Sequence, residues 1–386
     1  MKKVIVGLSG GVDSSVSAML LKKKGYEVIG VFLRNWSYPN EKCYWIEDSI
    51  DAMLICQQLN IPFHIIDISI EYKKLVVDYM FKGYSCGRTP NPDVLCNRNI
   101  KFNIFLKQAH SFNADFIATG HYAICKKKNN TIYQLLEGVD KKKDQSYFLC
   151  QLNQKQLSKS IFPIGNYNKK QVRKKAEESC LITSKKKDSQ GLCFIGKIKL
   201  FDFLQTKLKC KLGDIIGISS DDPIFQLPII PYNNKEEVFI FRNRRRKYKL
   251  GKRIGQHYGA QFFTMGQRKG LRIGGYSKGL FVLDTDIENN LVFVGLDENH
   301  PGLYNDALFI INKDIHWIRE DLALFQLNVI NVKCRIRYRQ DLQHAKLQRV
   351  EKGLYIVFDT PQKSITKGQF AAWYLEEELI GSGLIS

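Results

Sequence analysis

Val4-Ile5-Val6-Gly7-Leu8-Ser9-Gly10-Gly11-Val12-Asp13-Ser14-Ser15-Val16 is the stretch whose reading decides the fold. A β-branched run ends in two adjacent glycines and three hydroxyl side chains, and an apolar-periodic segment follows to about Lys22. The pattern predicts a buried strand, a tight turn and a helix. Gly10 and Gly11 admit positive φ and keep side chains away from an approaching ligand. Successive N–H groups can then converge on an anion at the helix N-terminus, where the helix dipole also favours negative charge. Ser9, Ser14 and Ser15 add hydroxyl donors. The loop reads as a phosphate cradle.

No Gly-Lys-[Ser/Thr] follows at Walker A spacing, and Gly-x-Gly-x-x-Gly is absent here. The pattern Ser-Gly-Gly-x-Asp-Ser (9–14) instead resembles the PP-loop of ATP pyrophosphatases, enzymes that split ATP into AMP and pyrophosphate. A ligand-free alternative is an ordinary Gly-rich turn in which Asp13 and Ser14 cap the helix. Six matched positions between a strand and a helix favour the nucleotide loop.

At 386 residues the chain is expected to hold two or three domains. Fifty-nine Lys and Arg against 38 acidic residues give a net charge of +21. That excess fits a polyanionic partner such as nucleic acid. It fits equally a Lys- and Asn-rich composition that spreads solvated charge everywhere. Ten cysteines show no Cys-x-x-Cys pair, and no His cluster has zinc-ligand spacing, so neither a disulfide scaffold nor a metal site is expected. With no signal-peptide pattern and no apolar stretch of membrane-spanning length, the expected location is cytoplasmic.

Residues 1–206 alternate strand-like and helix-like patterns and are read as a parallel-sheet α/β domain. Strands are expected at 28–33, 63–68 and 115–119, with a helix over 48–59. Ligands of open α/β sheets bind beyond the carboxyl ends of the strands, so the loop after Val6, the region of Leu33 and Gly120-His121 are expected on one rim. From about Lys207 short strands with Gly turns suggest two small, barrel-like β-rich domains, 207–300 and 301–386. Strands are expected at 256–264, 279–284, 291–295, 329–337, 353–358 and 369–374. A basic insertion near 219–253 carries eight Lys and Arg between Arg242 and Arg253.

Two further stretches carry chemistry. In Gly87-Arg88-Thr89-Pro90-Asn91-Pro92-Asp93-Val94-Leu95-Cys96-Asn97 two prolines suggest a rigid, extended loop. A carboxylate three residues before a thiol can exchange protons with it or with a substrate between them. Arg88, Arg98 and Lys101 would favour the thiolate, although a free cysteine most often packs as a small apolar side chain. In Asp188-Ser189-Gln190-Gly191-Leu192-Cys193-Phe194-Ile195-Gly196 a glycine-flanked thiol follows three lysines. It suits a sulfur carrier, or simply a turn into a strand.

Together these stretches identify the chain as similar to the tRNA-specific 2-thiouridylases, which place sulfur on C2 of the wobble uridine. The resemblance also runs through Ala-Thr-Gly-His-Tyr (118–122), Lys-Asp-Gln-Ser-Tyr-Phe-Leu (143–149), Gly-Gln-Arg-Lys-Gly-Leu (266–271) and Arg-Tyr-Arg-Gln (337–340). It implies that Gly7, Leu8, Ser9, Gly10, Gly11, Val12, Asp13, Ser14, Leu33 and Gly120 hold ATP, with Mg²⁺ on its phosphates. It implies an adenylated uracil O2, Cys193 as persulfide carrier, Cys96 as second thiol and Asp93 as general acid/base. Cys96 attacks either the persulfide or the activated C2 first; a Cys96–Cys193 disulfide is the implied end product. Asn91, Pro92 and Asp93 would face the flipped base. His121, Lys143, Asp144, Gln145, Arg337, Tyr338 and Gln369 would touch tRNA of the lysine, glutamate and glutamine species. Sulfur would come from a cysteine desulfurase through a persulfide-donating relay protein. Leu33 stands where such enzymes often have methionine, and the 219–253 segment looks longer than the family's link. Two rival readings are another PP-loop ligase or amidotransferase, and a tRNA-binding protein with a vestigial nucleotide site.

Overall fold

The computed structural model describes residues 1–36, 44–188, 200–225, 248, 251–323 and 329–386. Its first sheet is wholly parallel, ordered β3-β2-β1-β4-β7. The strands are β1 (Lys3–Gly7), β2 (Glu27–Arg34), β3 (Phe63–Asp67), β4 (Phe116–Ala118) and β7 (Ser160–Ile161). Residue alternation along β1 explains its two covered faces. Val4 and Val6 pack with Ala18 and Leu21 of helix α1 (Val12–Lys23) and with Ala52 and Cys56 of helix α2 (Tyr44–Gln58). Ile5 points to the other face, onto Phe102, Phe105 and Ala109. Register places Gly7 beside Val31 and Val6 beside Ala118, so β1, β2 and β4 end on one rim.

The expected first-domain elements are present with ends shifted by a few residues. Helix α2 starts earlier than 48, and the fourth strand is shorter than 115–119. A hairpin that the alternation reading passed over, β5 (Ala123–Lys127) and β6 (Tyr133–Glu137), leaves the parallel sheet altogether.

The central region forms a four-stranded sheet, β10-β11-β8-β9. Its strands are β8 (Gly213–Ile218), β9 (Lys252–His257), β10 (Leu280–Asp286) and β11 (Leu291–Leu296). The strand expected over 256–264 ends at His257, because Gly259 takes φ +135° and a short 3-10 turn follows at Ala260–Phe262. The basic run centred on Arg244 lies outside the described residues.

The third sheet holds β12 (Tyr304–Ile311), β13 (Ile315–Trp317), β14 (Val329–Arg335), β15 (Gln343–Val350), β16 (Gly353–Lys363), β17 (Phe370–Leu375) and β18 (Glu378–Leu384). Its edge is the early hairpin, since β18 pairs with β6 through Leu379 and Leu135. Tyr147, Leu149, Phe370 and Tyr374 accordingly share a core with Ile5 and Ile117. The boundary read near residue 206 is therefore crossed by a continuous sheet and core. Strand β14 stops at Arg335, so Arg337-Tyr338-Arg339 sits in the following turn, not on a strand as expected. Arg339 reverses the chain there with φ +64°.

Candidate active site

Gly11 is the N-cap residue of α1, and among the described residues no side chain caps that helix end. Asp13 and Ser14 are thus not the caps of a ligand-free turn, and the first N–H groups keep their donor capacity for an anion. Gly10 sits at φ +69°, and a Cβ there would fall 2.4 Å from the Asp48 carbonyl oxygen. Gly120, at the end of β4, is pressed so close to α1 that a Cβ would lie 2.8 Å from the Ser14 nitrogen. The hydroxyls behave differently from the expectation of free donors. Ser14 and Ser15 both donate to the Gly11 carbonyl, at 3.0 and 2.9 Å, and Ser14 Oγ also accepts from the Ser9 N–H. The cradle is therefore mainly backbone. Leu33 packs at the end of β2, half-buried between two cores.

Asp13 is the junction of a charge network that sequence reading missed. It accepts from the Tyr122 hydroxyl at 2.7 Å and from Lys169 Nζ at 2.8 Å. Lys169 also contacts Asp188 at 2.7 Å, and Asp188 is held by Lys143 and Arg173, each at 2.9 Å. Partial burial opposes ionisation of Asp188, but hydrogen bonds from Lys169 and Lys143 outweigh it and lower its pKa to about 2. The signal for Lys169 was present: Asn168 and Gln171 form a capping box that starts the 169–178 helix at that lysine.

The 87–97 stretch is not simply extended. Asn91 Oδ1 accepts from the Val94 N–H at 3.2 Å and Pro92 takes the first helical position, so Pro92–Leu95 is a helical turn. It continues into a wider, π-type segment over Cys96–Ile104. Asp93 and Cys96 stand three residues apart on this helical run and so share a face. Burial raises the Asp93 pKa, with Lys101 opposing. Cys96 is buried, 6% exposed. Next to it, Asn97 donates through Nδ2 to the Phe148 carbonyl at 3.0 Å, while its buried Oδ1 has no partner among the described residues.

Gln369, expected at tRNA, ties this stretch down. Its Oε1 accepts from Asn91 Nδ2 at 3.3 Å and its Nε2 donates to the Thr89 carbonyl at 2.9 Å. Thr89 further meets Thr264 at 3.0 Å, so all three regions of the chain hold the carboxylate–thiol turn.

The remaining expected tRNA positions divide. Asp144 is 2% exposed, bonded to Arg335, Ser146 and the Gly138 N–H. Its carboxylate is a buried strut. Gln145 brackets the backbone of Tyr122 from both sides. His121 is buried beside Phe102 and Phe162 and bonds Thr119 at 2.7 Å. Burial, then Lys101, holds its pKa well below the usual histidine value, so it is a neutral ring. Arg337 donates to the Lys363 and Ser364 carbonyls. Tyr338 stacks on Phe148 with ring centres 4.3 Å apart, and Arg339 lies over Tyr338 at 5.3 Å. Cys193 and the stretch 189–199 lie outside the described residues. Burial pushes the thiols of Cys56, Cys125 and Cys150 up to about 12, which leaves them inert at neutral pH. Among the described residues no group of three His, Cys, Asp or Glu is placed to hold a metal. No helix among them is long and apolar enough to cross a membrane.

Comparison with known proteins agrees with this architecture. The model of a tRNA methyl transferase HUP domain matches residues 2–197, its PRC-barrel companion 243–296, and an aminomethyltransferase beta-barrel domain 308–385. A nucleotide-binding α/β domain followed by two β-rich domains is therefore the class that the fold and the loop define. Tested against whole proteins, the chain is 54% identical to the tRNA-specific 2-thiouridylase MnmA of Flavobacterium johnsoniae, covering 100% of both. It is 50% identical to that of Karelsulcia muelleri, over 100% of this chain and 99% of the other. The chain belongs to the tRNA-specific 2-thiouridylase family. Among solved structures, a 4-thiouridine synthetase bound to RNA and ATP aligns over 53% of this chain and 50% of its own, at 16% identity and TM-score 0.33.

Proposed function

We propose that the protein transfers persulfide sulfur to C2 of the wobble uridine of tRNA, using ATP and releasing AMP and pyrophosphate. The observation that carries this is the Asp93–Cys96 pair on one helical face, pinned by Asn91 and Gln369, in a chain whose α1 N-terminus is an uncapped backbone cradle.

The cradle of residues 7–14, closed by Gly120 and floored by Leu33, receives ATP. ATP would bring Mg²⁺ on its phosphates, since Asp13, the one carboxylate within residues 7–14, is already ion-paired with Lys169. Asp93 takes the N3 proton of a flipped uracil, and O2 attacks the α-phosphorus while pyrophosphate leaves. Cys193 carries Cys–S–SH. In one order of events the Cys96 thiolate attacks the Cys193 sulfur, the S–S bond breaks and hydrosulfide departs with the electron pair. Hydrosulfide then adds to C2 and AMP leaves. In the other order Cys96 adds to C2 first and AMP leaves. The outer sulfur of the Cys193 persulfide then adds to C2, loses its proton and expels the Cys96 thiolate. That thiolate attacks the Cys193 sulfur and breaks the S–S bond, so that the outer sulfur stays on C2. Both end in a Cys96–Cys193 disulfide that a two-electron reductant must reopen. Asn91 and Pro92 face the base; Lys143, Arg337 and Tyr338 are the tRNA contacts best placed at the surface, with His121 contributing a neutral ring edge. The substrates are the lysine, glutamate and glutamine tRNAs, the sulfur descends from a cysteine desulfurase through a persulfide relay, and the setting is the cytoplasm.

The test is mass analysis of the wobble nucleoside after incubation with ATP and sulfide or a persulfide donor. Oxygen-to-sulfur exchange is expected with the native chain, and with the persulfide donor as the only sulfur source it is lost in Cys96→Ser and Cys193→Ser. Full turnover by either variant overturns the mechanism. Binding of tRNA without pyrophosphate release would favour a vestigial nucleotide site instead.

A further inference from the structure

Among the described ion pairs, Lys169 is the only cation that reaches residues 7–14. Its Nζ lies 2.8 Å from each carboxylate oxygen of Asp13 and 2.7 Å from Asp188, and its side chain is 13% exposed. Two anchors hold it there. The Asn168–Gln171 capping box starts its helix, and the Lys169 N–H donates to Asp140 at 2.9 Å. An ammonium group drawn so far from water is costly unless opposite charge meets it.

The two carboxylates do not depend on this lysine equally. Asp188 also holds Lys143 and Arg173, each at 2.9 Å. Three cations therefore share two carboxylates, and the cluster carries one surplus positive charge. Asp13 has no second cation among the described residues, and its other donor is the Tyr122 hydroxyl at 2.7 Å. Asp13 is the second residue of α1, so its carboxylate stands in the first turn with the uncapped N–H groups of Val12, Asp13 and Ser14. A phosphate on those donors would be repelled by an unpaired carboxylate beside it. Lys169 cancels that repulsion. It can also let go of Asp188, which keeps two other cations, and so has an N–H to give.

We propose that Lys169 binds the polyphosphate of ATP: it stays on Asp13, exchanges Asp188 for a phosphate oxygen, and brings a charge-assisted hydrogen bond to a cradle otherwise made of backbone. This rests on the nucleotide reading of that cradle given above. An RNA backbone is the poorer match, because it would meet Lys143 and Arg173 first, each 33% exposed.

The test titrates ATP and AMP into the whole chain in the presence of Mg²⁺ and follows tRNA binding in parallel. Lys169→Met should weaken ATP binding about tenfold and AMP binding less than about twofold, because the β- and γ-phosphates carry the charge that the lysine meets. Its tRNA affinity should match that of the native chain. An ATP affinity equal to the native one, an equal fall for ATP and AMP, or a fall in tRNA affinity overturns the assignment. Asp188→Asn keeps the test decisive if Lys169→Met folds poorly. It frees Lys169 from its second carboxylate and should tighten ATP binding about threefold. Unchanged or weaker ATP binding by Asp188→Asn overturns the assignment too. A native chain that binds neither ATP nor AMP overturns the nucleotide reading itself, a distinct result.

Discussion

Asp93 combines a helical position beside Cys96 with burial that raises its pKa. A carboxylate acting as base must be ionised, so the thiolation rate falls as pH drops through that raised value, above the ordinary carboxylate value of about 4. Asp93→Asn should remove this limb from the pH–rate profile along with most of the activity. The same shift has a stability sign. The folded state holds the Asp93 proton more tightly than the unfolded chain, so stability declines as pH rises from the ordinary value through the raised one. Urea titrations at stepped pH should show that slope in the native chain and not in Asp93→Asn. The residue types Asp and Cys at this spacing were legible in the sequence. Their common helical face was not, because two prolines suggested an extended loop and the Asn91 cap decided otherwise.

At the scale of elements, the loop between β1 and α1 depends on one left-handed residue in a crowded place. Gly10→Ala must hold φ near +69° and also push the Asp48 carbonyl away. We expect a loss of about 1–3 kcal/mol in urea unfolding, together with impaired ATP binding by calorimetry. Strand, turn and helix here were readable because backbone conformation follows local residue type. The roles of the serines were not. A hydroxyl chooses between a ligand and the carbonyl four residues back, and Ser15 chose Gly11.

Across the whole molecule, Arg335 joins its guanidinium to Glu137 and Asp144, all three buried, where the third sheet meets the early hairpin. Arg335→Met leaves the buried Asp144 without its cation, while Glu137 keeps Lys141, and should cost about 3–5 kcal/mol in chemical unfolding. The net charge of +21 gives a second prediction at this scale. If it serves tRNA, log Kd should rise against log salt with a slope of roughly 0.7–0.9 per phosphate contact. A flat dependence would mark the charge as solvated composition bias.

The strand, turn and helix of the phosphate loop and the chain order of the parallel-sheet elements were determined by sequence alone, and the candidates Asp93, Cys96 and Cys193 were chosen from it. Each is written in residues adjacent along the chain, where φ, capping and side-chain chemistry act within a few positions. Only the tertiary structure decided that Gln369 braces Asn91, that Asp144 is a strut for Arg335, and that Lys169 links Asp13 to Asp188. Those partners are 278, 191, 156 and 19 positions apart, and a polar side chain of that kind finds its mate through burial and sheet pairing, which no local pattern encodes.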